Sequence, residues 1–211
     1  MKSRKNLLKK SLLYIVVNSS GLSCDILINQ TLSAIKLGAD IIQLRNKTDS
    51  KLIILEQAFR LRKLLSPSRS LFIVNDYLDV ALISKADGVH LGQDDLPIEA
   101  ARKLMGKSAV IGISCHSLKQ AIAAQNSGAD YLGIGPVFAT PTKPDVAPIG
   151  LNIASAAAKR IRIPFFAIGG INKNNLQEII RCGVKRIAVV RAASQSDCLK
   201  DILKINTSKC N

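Results

Sequence analysis

The sequence contains no tryptophan and few other aromatic residues, with five Phe and three Tyr. Proteins that bind single-stranded nucleic acid stack bases on aromatic side chains, so this scarcity argues against that class. No apolar run approaches the roughly 20 residues that a membrane-spanning helix needs. We therefore expect neither a membrane protein nor a typical nucleic-acid platform.

Cysteine is also sparse, since five residues lie far apart and none belongs to a Cys-x-x-Cys pair. Their odd number and wide spacing predict a reduced, cytoplasmic protein without a zinc or dithiol motif. The basic start is followed by a short apolar run that ends at Asn18 without the cleavage site of a signal peptide. We interpret 1–10 as a basic N-terminal extension and the apolar run as a buried strand.

Acidic residues are half as numerous as basic ones, 15 against 30, which gives a formal net charge of +15. Strongly basic domains often bind nucleic acid or other polyanions. Here the Lys and Arg residues are mostly spread through amphipathic segments, which favours a solvated basic surface. A non-catalytic binder of phosphate or nucleic acid stays open as an alternative.

Short runs rich in Val, Ile and Leu alternate with segments of helical period along the whole chain. The predicted strands are 12–18, 41–46, 71–76, 88–92, 109–115, 131–137, 165–170 and 186–192. The predicted helices are 25–37, 50–65, 78–85, 97–105, 117–127, 151–161, 173–182 and 196–205. Eight such units predict a single (β/α)8 TIM barrel over 1–211 with a C-terminal tail at 206–211, and an open doubly wound sheet is the alternative.

Active sites of such barrels lie at the carboxyl ends of the strands, where this sequence places several polar residues. The second strand ends in Gln43, Arg45 and Lys47, which period-2 alternation places on the side of the barrel lumen. An Arg offers bidentate geometry for phosphate, whereas a Lys offers a point charge. These three residues predict a phosphate or diphosphate site.

The third and fourth strands bring acidic residues to the same rim. Asn75 and Asp76 end one strand, and Asp94 and Asp95 follow the other. Mg²⁺ takes one or two carboxylates and completes its shell with water and substrate phosphate, so Asp76 and Asp95 predict a magnesium site. Asp94 precedes a helix and is interpreted as a cap, and His90 as a satisfied core or rim residue.

The remaining strand ends supply hydroxyls, glycines and further cations. Ser114 ends the fifth strand as a hydrogen-bond donor, and the loop after the sixth carries Thr140, Thr142 and Lys143. The last two strands end in Gly169-Gly170 and in Val190-Arg191, the usual phosphate position of such barrels.

Taken together, these motifs closely resemble the thiamine-phosphate synthase (thiamine-phosphate pyrophosphorylase) family. The matching segments, in order, are Gln43-x-Arg45-x-Lys47, Asn75-Asp76, His90-x-Gly92-Gln93-x-Asp95, Gly112-x-Ser114-x-His116, Gly133-x-Gly135-Pro136 with Thr140-x-Thr142-Lys143, and Gly169-Gly170-Ile171. Each is weak alone, but six in register over nearly the whole chain are specific.

The resemblance implies an alkyl transfer that couples (4-amino-2-methyl-5-pyrimidinyl)methyl diphosphate to thiazole phosphate, giving thiamine phosphate and diphosphate. In that family diphosphate departs first or nearly so, and the thiazole nitrogen captures a pyrimidine-methyl cation. The resemblance assigns the pyrimidine diphosphate to Gln43, Arg45, Lys47, Asn75, Ser114 and Lys143, and Mg²⁺ to Asp76 and Asp95. It assigns the thiazole phosphate to Thr140, Thr142, Gly170, Val190 and Arg191, with Arg45, Lys47, Ser114 and Lys143 as the catalytic group.

The sequence departs from the family pattern at Asn46, at Asn18 and in its basic start. The nearest rival is a thiazole tautomerase-like isomerase on the same barrel, which does not share the acidic segment that ends in Asp95. The implied partners are the two small-molecule substrates, and a homo-oligomer is compatible with the sequence.

Overall fold

The computed structural model describes residues 3–142 and 146–190. Its strands are β1 (Leu13–Asn18), β2 (Ile41–Arg45), β3 (Leu71–Asn75), β4 (Gly88–Leu91), β5 (Val110–Cys115), β6 (Tyr131–Ile134), β7 (Phe165–Ile168) and β8 (Ile187–Val189). Its helices are α1 (Arg4–Lys10), α2 (Cys24–Lys36), α3 (Lys51–Leu65), α4 (Leu78–Ile83), α5 (Ile98–Met105), α6 (Leu118–Asn126), α7 (Gly150–Arg160) and α8 (Leu176–Arg181). Across the described ranges, no helix has both the length and the apolar character needed to span a membrane.

The eight strands form a closed parallel barrel in sequence order, and β1 pairs with β8 to complete the ring. The predicted (β/α)8 barrel is therefore confirmed, and the open-sheet alternative is wrong. Each described strand lies within its predicted range. The predicted helix 196–205 and the tail 206–211 lie outside the described residues.

Alternation along the strands divides the core into two layers. Between the strands and the surrounding helices lies the larger apolar cluster, to which Leu44 of β2 and Val74 of β3 belong. A smaller cluster fills the amino-terminal half of the lumen, where Tyr14, Tyr131 and Phe166 are almost fully buried. Because these side chains fill the amino-terminal half of the lumen, ligands reach it from the carboxyl ends of the strands.

Serine caps start several helices, because the hydroxyl accepts a hydrogen bond from an otherwise unpaired backbone N–H of the first turn. Ser23 and Ser50 cap α2 and α3 in this way. The turns from helix to strand need a positive φ, which Gly38 and Gly128 supply at little steric cost. These turns fix where each strand begins and therefore where its carboxyl end meets the active rim.

Residues predicted only as a basic extension form helix α1, which closes the amino-terminal end of the barrel. Leu8 is 2% exposed and packs against the lumen cluster. Arg4 pairs with Asp87 at 2.9 Å and Lys5 with Asp130 at 2.8 Å. The basic start is therefore part of the folded barrel.

Candidate active site

The carboxyl ends of the strands surround a long depression, which we call the trough. Its central part is a cavity that reaches into the lumen. Gln43, Arg45, Asn75, His90, Ser114, His116, Gly133, Thr140, Thr142, Gly169 and Val190 are among its lining residues. The structure therefore brings most of the predicted site residues to one cavity.

The alternation predicted for the end of β2 is present. The Gln43 amide donates to the Tyr14 hydroxyl inside the lumen at 2.8 Å, whereas Asn46 points to the helix side and donates to Gln57 at 3.1 Å. Asn46 is 1% exposed and does not line the trough. Its departure from the family pattern therefore lies outside the described ligand-facing surface.

One end of the trough, which we call the acidic end, combines cations and carboxylates. It is lined by Arg45, Lys47, Asn75, Asp76, Gly92, Gln93, Asp94, Asp95, Ser114, His116 and Gln120. Lys47 forms an ion pair with Asp76. The Asp95 carboxylate accepts the Gly92 N–H at 2.6 Å.

Asp76 and Asp95 face each other at this end of the trough. Burial raises the pKa of Asp76, and the neighbouring Asp95 carboxylate raises it further, while Lys47 lowers it. Two carboxylates held together repel each other unless a cation lies between them. The pair is therefore suited to a bound cation beyond the lysine that the structure provides.

The backbone of Asp76 shows how the sequence aims its side chain. Asp76 has φ of 60°, a conformation uncommon for residues other than glycine. Its N–H donates to the His90 carbonyl oxygen at 2.8 Å, which fixes the turn to β4. Such strain is often retained at functional sites, and here it holds Asp76 toward Asp95.

The chemistry of these donors fits magnesium. Within 3–142 and 146–190, no group of three or more His, Cys, Asp or Glu residues is arranged to hold a metal ion. Zinc sites normally take three or four such ligands, whereas Mg²⁺ needs one or two carboxylates and substrate phosphate. Asp76 and Asp95 lie in the trough beside the cations Arg45 and Lys47. This arrangement matches the magnesium pattern.

Arg45 is oriented by a neutral neighbour. Its guanidinium donates to the side-chain oxygen of Asn18 at 3.1 Å. An aspartate at this position would cancel part of the positive charge. The asparagine orients Arg45 without neutralising it, so the guanidinium keeps its full charge for an anionic ligand.

A chain of hydrogen bonds crosses the floor of the central cavity. The Tyr14 and Tyr131 hydroxyls are 2.9 Å apart, and the His90 ring lies 2.9 Å from the Tyr131 hydroxyl and 2.9 Å from the Ser114 hydroxyl. Burial raises the pKa of both tyrosines. Both therefore stay protonated near neutral pH, so the floor is polar yet carries no phenolate charge.

The interpretation of His90 as a satisfied core or rim residue is confirmed, because its ring is hydrogen-bonded to Tyr131 and Ser114, and His90 also lines the cavity. Sequence reasoning missed two other polar residues of the trough. His116 and Gln93 line the acidic end, and the Gln93 amide donates to the Ser114 carbonyl at 2.6 Å. Alternation could have identified His116, because it lies two residues after Ser114 and shares its face.

The interpretation of Asp94 as a helix cap is wrong. Helix α5 begins after Pro97 without a side-chain cap, and Asp94 instead lines the acidic end of the trough. The proline already supplies a backbone suited to a helix start, and it has no N–H that needs a partner.

The opposite end of the trough, which we call the glycine end, is lined by Thr140, Thr142, Gly169, Gly170, Asn172 and Val190, among others. Gly170 has φ of 66°, and a Cβ there would lie 2.5 Å from the Ala139 carbonyl oxygen. The amides of Asn172 and Asn175 donate to the Gly170 carbonyl at 3.2 and 2.9 Å. The predicted residues Lys143 and Arg191 lie outside the described ranges.

The three parts of the trough are continuous. The central cavity shares Arg45 and Ser114 with the acidic end and Thr140 and Gly169 with the glycine end. A ligand pair could therefore place one anionic group at each end, with its uncharged parts meeting over the polar floor. Gly133 lines the centre without a side chain and leaves room there.

Comparisons with known proteins converge on one family. A family profile described as thiamine monophosphate synthase matches residues 13–193. The thiamine-phosphate synthase of Nostoc punctiforme is 46% identical over 194 residues, covering 92% of this chain and 54% of that protein. That of Shouchella clausii is 47% identical over 173 residues, covering 77% of this chain and 83% of that protein.

A solved structure agrees. Thiamine phosphate pyrophosphorylase from Pyrococcus furiosus superposes with a TM-score of 0.81 at 36% identity, covering 97% of this chain and 98% of that one. The chain spans about half of the length of the Nostoc protein but nearly all of the Pyrococcus structure.

Proposed function

This chain belongs to the thiamine monophosphate synthase family, and on that premise we propose that it couples (4-amino-2-methyl-5-pyrimidinyl)methyl diphosphate to thiazole phosphate. The products are thiamine phosphate and diphosphate. The observation that carries the proposal is the trough, in which a cation and carboxylate cluster and a glycine-rich turn lie at opposite ends of one cavity.

At the acidic end, Arg45 and Lys47 bind the diphosphate of the pyrimidine substrate. Charge accumulates on the diphosphate as its bond to the methylene carbon breaks, and fixed cations stabilise that charge in the transition state. Ser114 and Asn75 donate hydrogen bonds to the same group. Lys143, which the family resemblance assigns to the pyrimidine diphosphate, is proposed as a further cation for the leaving group.

Asp76 and Asp95 would hold Mg²⁺ at this end, where the ion would supply charge neutralisation for the leaving diphosphate. Lys47 pairs with Asp76. We infer that Lys47 can move from the carboxylate to phosphate oxygens when substrate and cation bind, because its side chain is about half exposed at 49%.

In the central cavity, Gln43 orients the pyrimidine ring above the polar floor. The ring develops positive charge as diphosphate leaves, and a cation close to it would oppose that step. Tyr14 and Tyr131 contribute neutral hydroxyls beneath it. The arrangement concentrates the positive side chains on the leaving group and keeps them off the floor.

At the glycine end, Thr140, Thr142, Gly170 and the backbone at Val190 bind the phosphate of the thiazole. Glycines allow backbone N–H groups to approach a phosphate closely. Arg191 is proposed as an additional phosphate ligand. This anchoring directs the thiazole nitrogen toward the pyrimidine methylene carbon, on which the new carbon–nitrogen bond forms.

The experiment that tests the proposal is incubation of the purified protein with both substrates and Mg²⁺. We expect release of diphosphate and formation of thiamine phosphate. Isomerisation of a thiazole without diphosphate release would favour the tautomerase-like alternative. Binding of polyanions without turnover would favour the non-catalytic alternative.

Asp76→Ala separates catalysis from binding. We expect turnover to fall by at least about a thousandfold, because losing preorganised charge stabilisation costs a few kcal/mol of transition-state energy. Asp79→Ala is the matched control, since Asp79 also pairs with a lysine, Lys51 at 2.7 Å, but lies outside the trough. Turnover that survives in Asp76→Ala would show that the metal assignment is wrong.

The proposal includes Mg²⁺ as cofactor and a cytoplasmic location, the latter on the spacing of the cysteines. Small molecules are its proposed partners, with nucleic acid not required. A homo-oligomer remains compatible with the fold.

A further inference from the structure

A buried polar cluster lies on the helix side of the barrel wall, behind the acidic end of the trough. We call it the amide cluster. Its members come from the turns after β1 and β2 and from helix α3, and they are Ser19, Ser20, Asn46, Asp49 and Gln57. Ser19, Asn46 and Gln57 are each at most 1% exposed. None of the five is among the described residues that line the trough.

The hydrogen bonds of the amide cluster fix the orientation of its amides. The Asn46 side-chain oxygen accepts the backbone N–H groups of Thr48 at 3.2 Å and Asp49 at 3.1 Å. A backbone N–H can only donate, so the Asn46 amide nitrogen is the atom that faces Gln57 and Asp49. Because that nitrogen also only donates, Gln57 presents its oxygen to Asn46.

The side-chain oxygen of Gln57 is therefore a shared acceptor. It accepts the Ser19 hydroxyl at 2.7 Å and the Asn46 amide at 3.1 Å. The Gln57 amide nitrogen is buried and has no hydrogen-bond partner within the part of the chain that the structure describes. A buried donor without a partner is destabilising, so a contribution to folding alone does not explain an amide at this position.

The two donors that meet at Gln57 belong to the ends of two adjacent strands. Ser19 follows Asn18, the last residue of β1, and Asn46 follows Arg45, the last residue of β2. The Ser19 N–H also donates to the Arg45 carbonyl at 2.8 Å. Gln57 therefore holds the carboxyl end of β1 against that of β2 from the outside of the barrel.

On the trough side, the same two strand ends determine where Arg45 points. Its guanidinium donates to the Asn18 side-chain oxygen at 3.1 Å, so its direction depends on how β1 and β2 are held together. A planar guanidinium binds phosphate in a defined geometry. Supporting residues must hold such a group to within about 0.5 Å of its productive position.

We propose that Gln57 is a positioning residue for the diphosphate site. Through Ser19 and Asn46 it joins the end of β1 to the end of β2, and it thereby holds the Arg45 guanidinium toward the diphosphate. The inference rests on the proposed function, which assigns that ligand to Arg45. Gln57 acts from the far side of the barrel wall and does not touch the ligand.

Isothermal titration calorimetry with inorganic diphosphate and Mg²⁺ tests this inference without requiring turnover. Gln57→Met keeps the length of the side chain but removes its oxygen, and we expect diphosphate to bind at least about fivefold more weakly than to the wild type. Thr31→Val is the matched control, because Thr31 is 0% exposed on α2 and donates to the Leu27 carbonyl at 2.8 Å. It loses a buried hydrogen bond elsewhere and should bind diphosphate like the wild type.

A double-mutant cycle shows whether the effect passes through Arg45. Arg45→Lys replaces the planar group by a point charge on a flexible chain and should itself weaken diphosphate binding. In the Arg45→Lys background, adding Gln57→Met should weaken binding by less than about twofold, because no guanidinium remains to be oriented. The same factor in both backgrounds would overturn the inference.

Ser19→Ala breaks the same link with a smaller change in the core, so the test holds even where Gln57→Met does not fold. We expect this variant to bind diphosphate at least about twofold more weakly than the wild type, since the shared acceptor loses its donor from the end of β1. Diphosphate affinity equal to that of the wild type in Ser19→Ala would contradict the proposed link.

Steady-state kinetics separate positioning from a general loss of packing. Gln57→Met should raise KM for the pyrimidine diphosphate at least about fivefold and leave KM for the thiazole phosphate unchanged, because the second substrate is proposed to bind at the glycine end. An equal rise in both KM values would show that the variant loosens the whole barrel, and Gln57 would then have no specific role at the diphosphate site.

Failure of the proposed function gives a different result from failure of this inference. If the wild type does not bind diphosphate, or if Arg45→Lys binds it as tightly as the wild type, the diphosphate site itself is wrong and the inference falls with it. If diphosphate binding depends on Arg45 while Gln57→Met binds like the wild type, the diphosphate site stands and only the positioning role of Gln57 is wrong.

Discussion

Gly92 lies directly against one of the two facing carboxylates. A Cβ at this position would lie 3.1 Å from the Asp95 Oδ2 atom, which also accepts the Gly92 N–H. We expect Gly92→Ala to shift the carboxylate and to raise the Mg²⁺ concentration needed for half-maximal turnover by about tenfold, equivalent to roughly 1.4 kcal/mol. A magnesium titration of the turnover rate measures this.

Gly133→Ala is the matched control for that variant. Its Cβ would lie 3.2 Å from the His90 ring in the central cavity, away from the carboxylates. We expect KM for the pyrimidine substrate to rise while the magnesium requirement stays that of the wild type. The same magnesium curve for both variants would contradict the separate roles of the acidic end and the central cavity.

Tyr131 joins the two halves of the cavity floor. Its hydroxyl contacts both the Tyr14 hydroxyl and the His90 ring. Tyr131→Phe removes the shared partner and leaves two buried polar groups without one of their hydrogen bonds, so we expect a loss of about 1–3 kcal/mol in unfolding free energy. Urea denaturation measures the loss, and Tyr77→Phe, outside the trough, is the control.

Residue-scale prediction from sequence succeeded where alternation alone decides orientation. Gln43 and Arg45 follow the period of one strand, so their shared side could be predicted. The contact of His90 with Tyr131 joins β4 to β6, 41 residues apart. That contact depends on the radius of the closed barrel, which no local pattern encodes.

At the scale of elements, the strands could be predicted because each is a short apolar run that ends in a turn. Helix α1 could not. It has seven residues and no acidic residue in its first turn, and an isolated helix of that length is unstable in water. It forms because Leu8 packs against the end of the barrel, and that surface exists only after the strands close.

Leu8→Ala tests this dependence of α1 on its packing. Leu8 is 2% exposed in the lumen cluster, and removing a buried leucine side chain costs about 2–5 kcal/mol. We expect that loss in unfolding free energy, with turnover per folded molecule unchanged because the trough lies at the other end of the barrel.

Asn6→Ala, on the exposed side of the same helix, is the control and should change stability by less than about 0.5 kcal/mol. Equal effects of the two variants, measured by the same denaturation experiment, would show that α1 does not depend on the buried contact of Leu8.

At the scale of the whole molecule, basic residues outnumber acidic ones by 30 to 15. Lys51 with Asp79 is an exposed ion pair, and such pairs contribute about 0–1 kcal/mol each. Self-repulsion of a domain with a formal net charge of +15 acts over the whole surface. Repulsion should therefore dominate the response of stability to salt.

We expect the melting temperature to rise between about 0.01 and 0.15 M NaCl, since the screening length falls from roughly 30 Å to 8 Å over that range. A gain of about 1 kcal/mol corresponds to roughly 2–4 °C for a domain of this size. R60E/K63E reverses one Arg and one Lys on the exposed side of α3 and lowers the net charge, so it should reduce the rise. A melting temperature that falls with NaCl would show instead that attractive pairs outweigh the net repulsion.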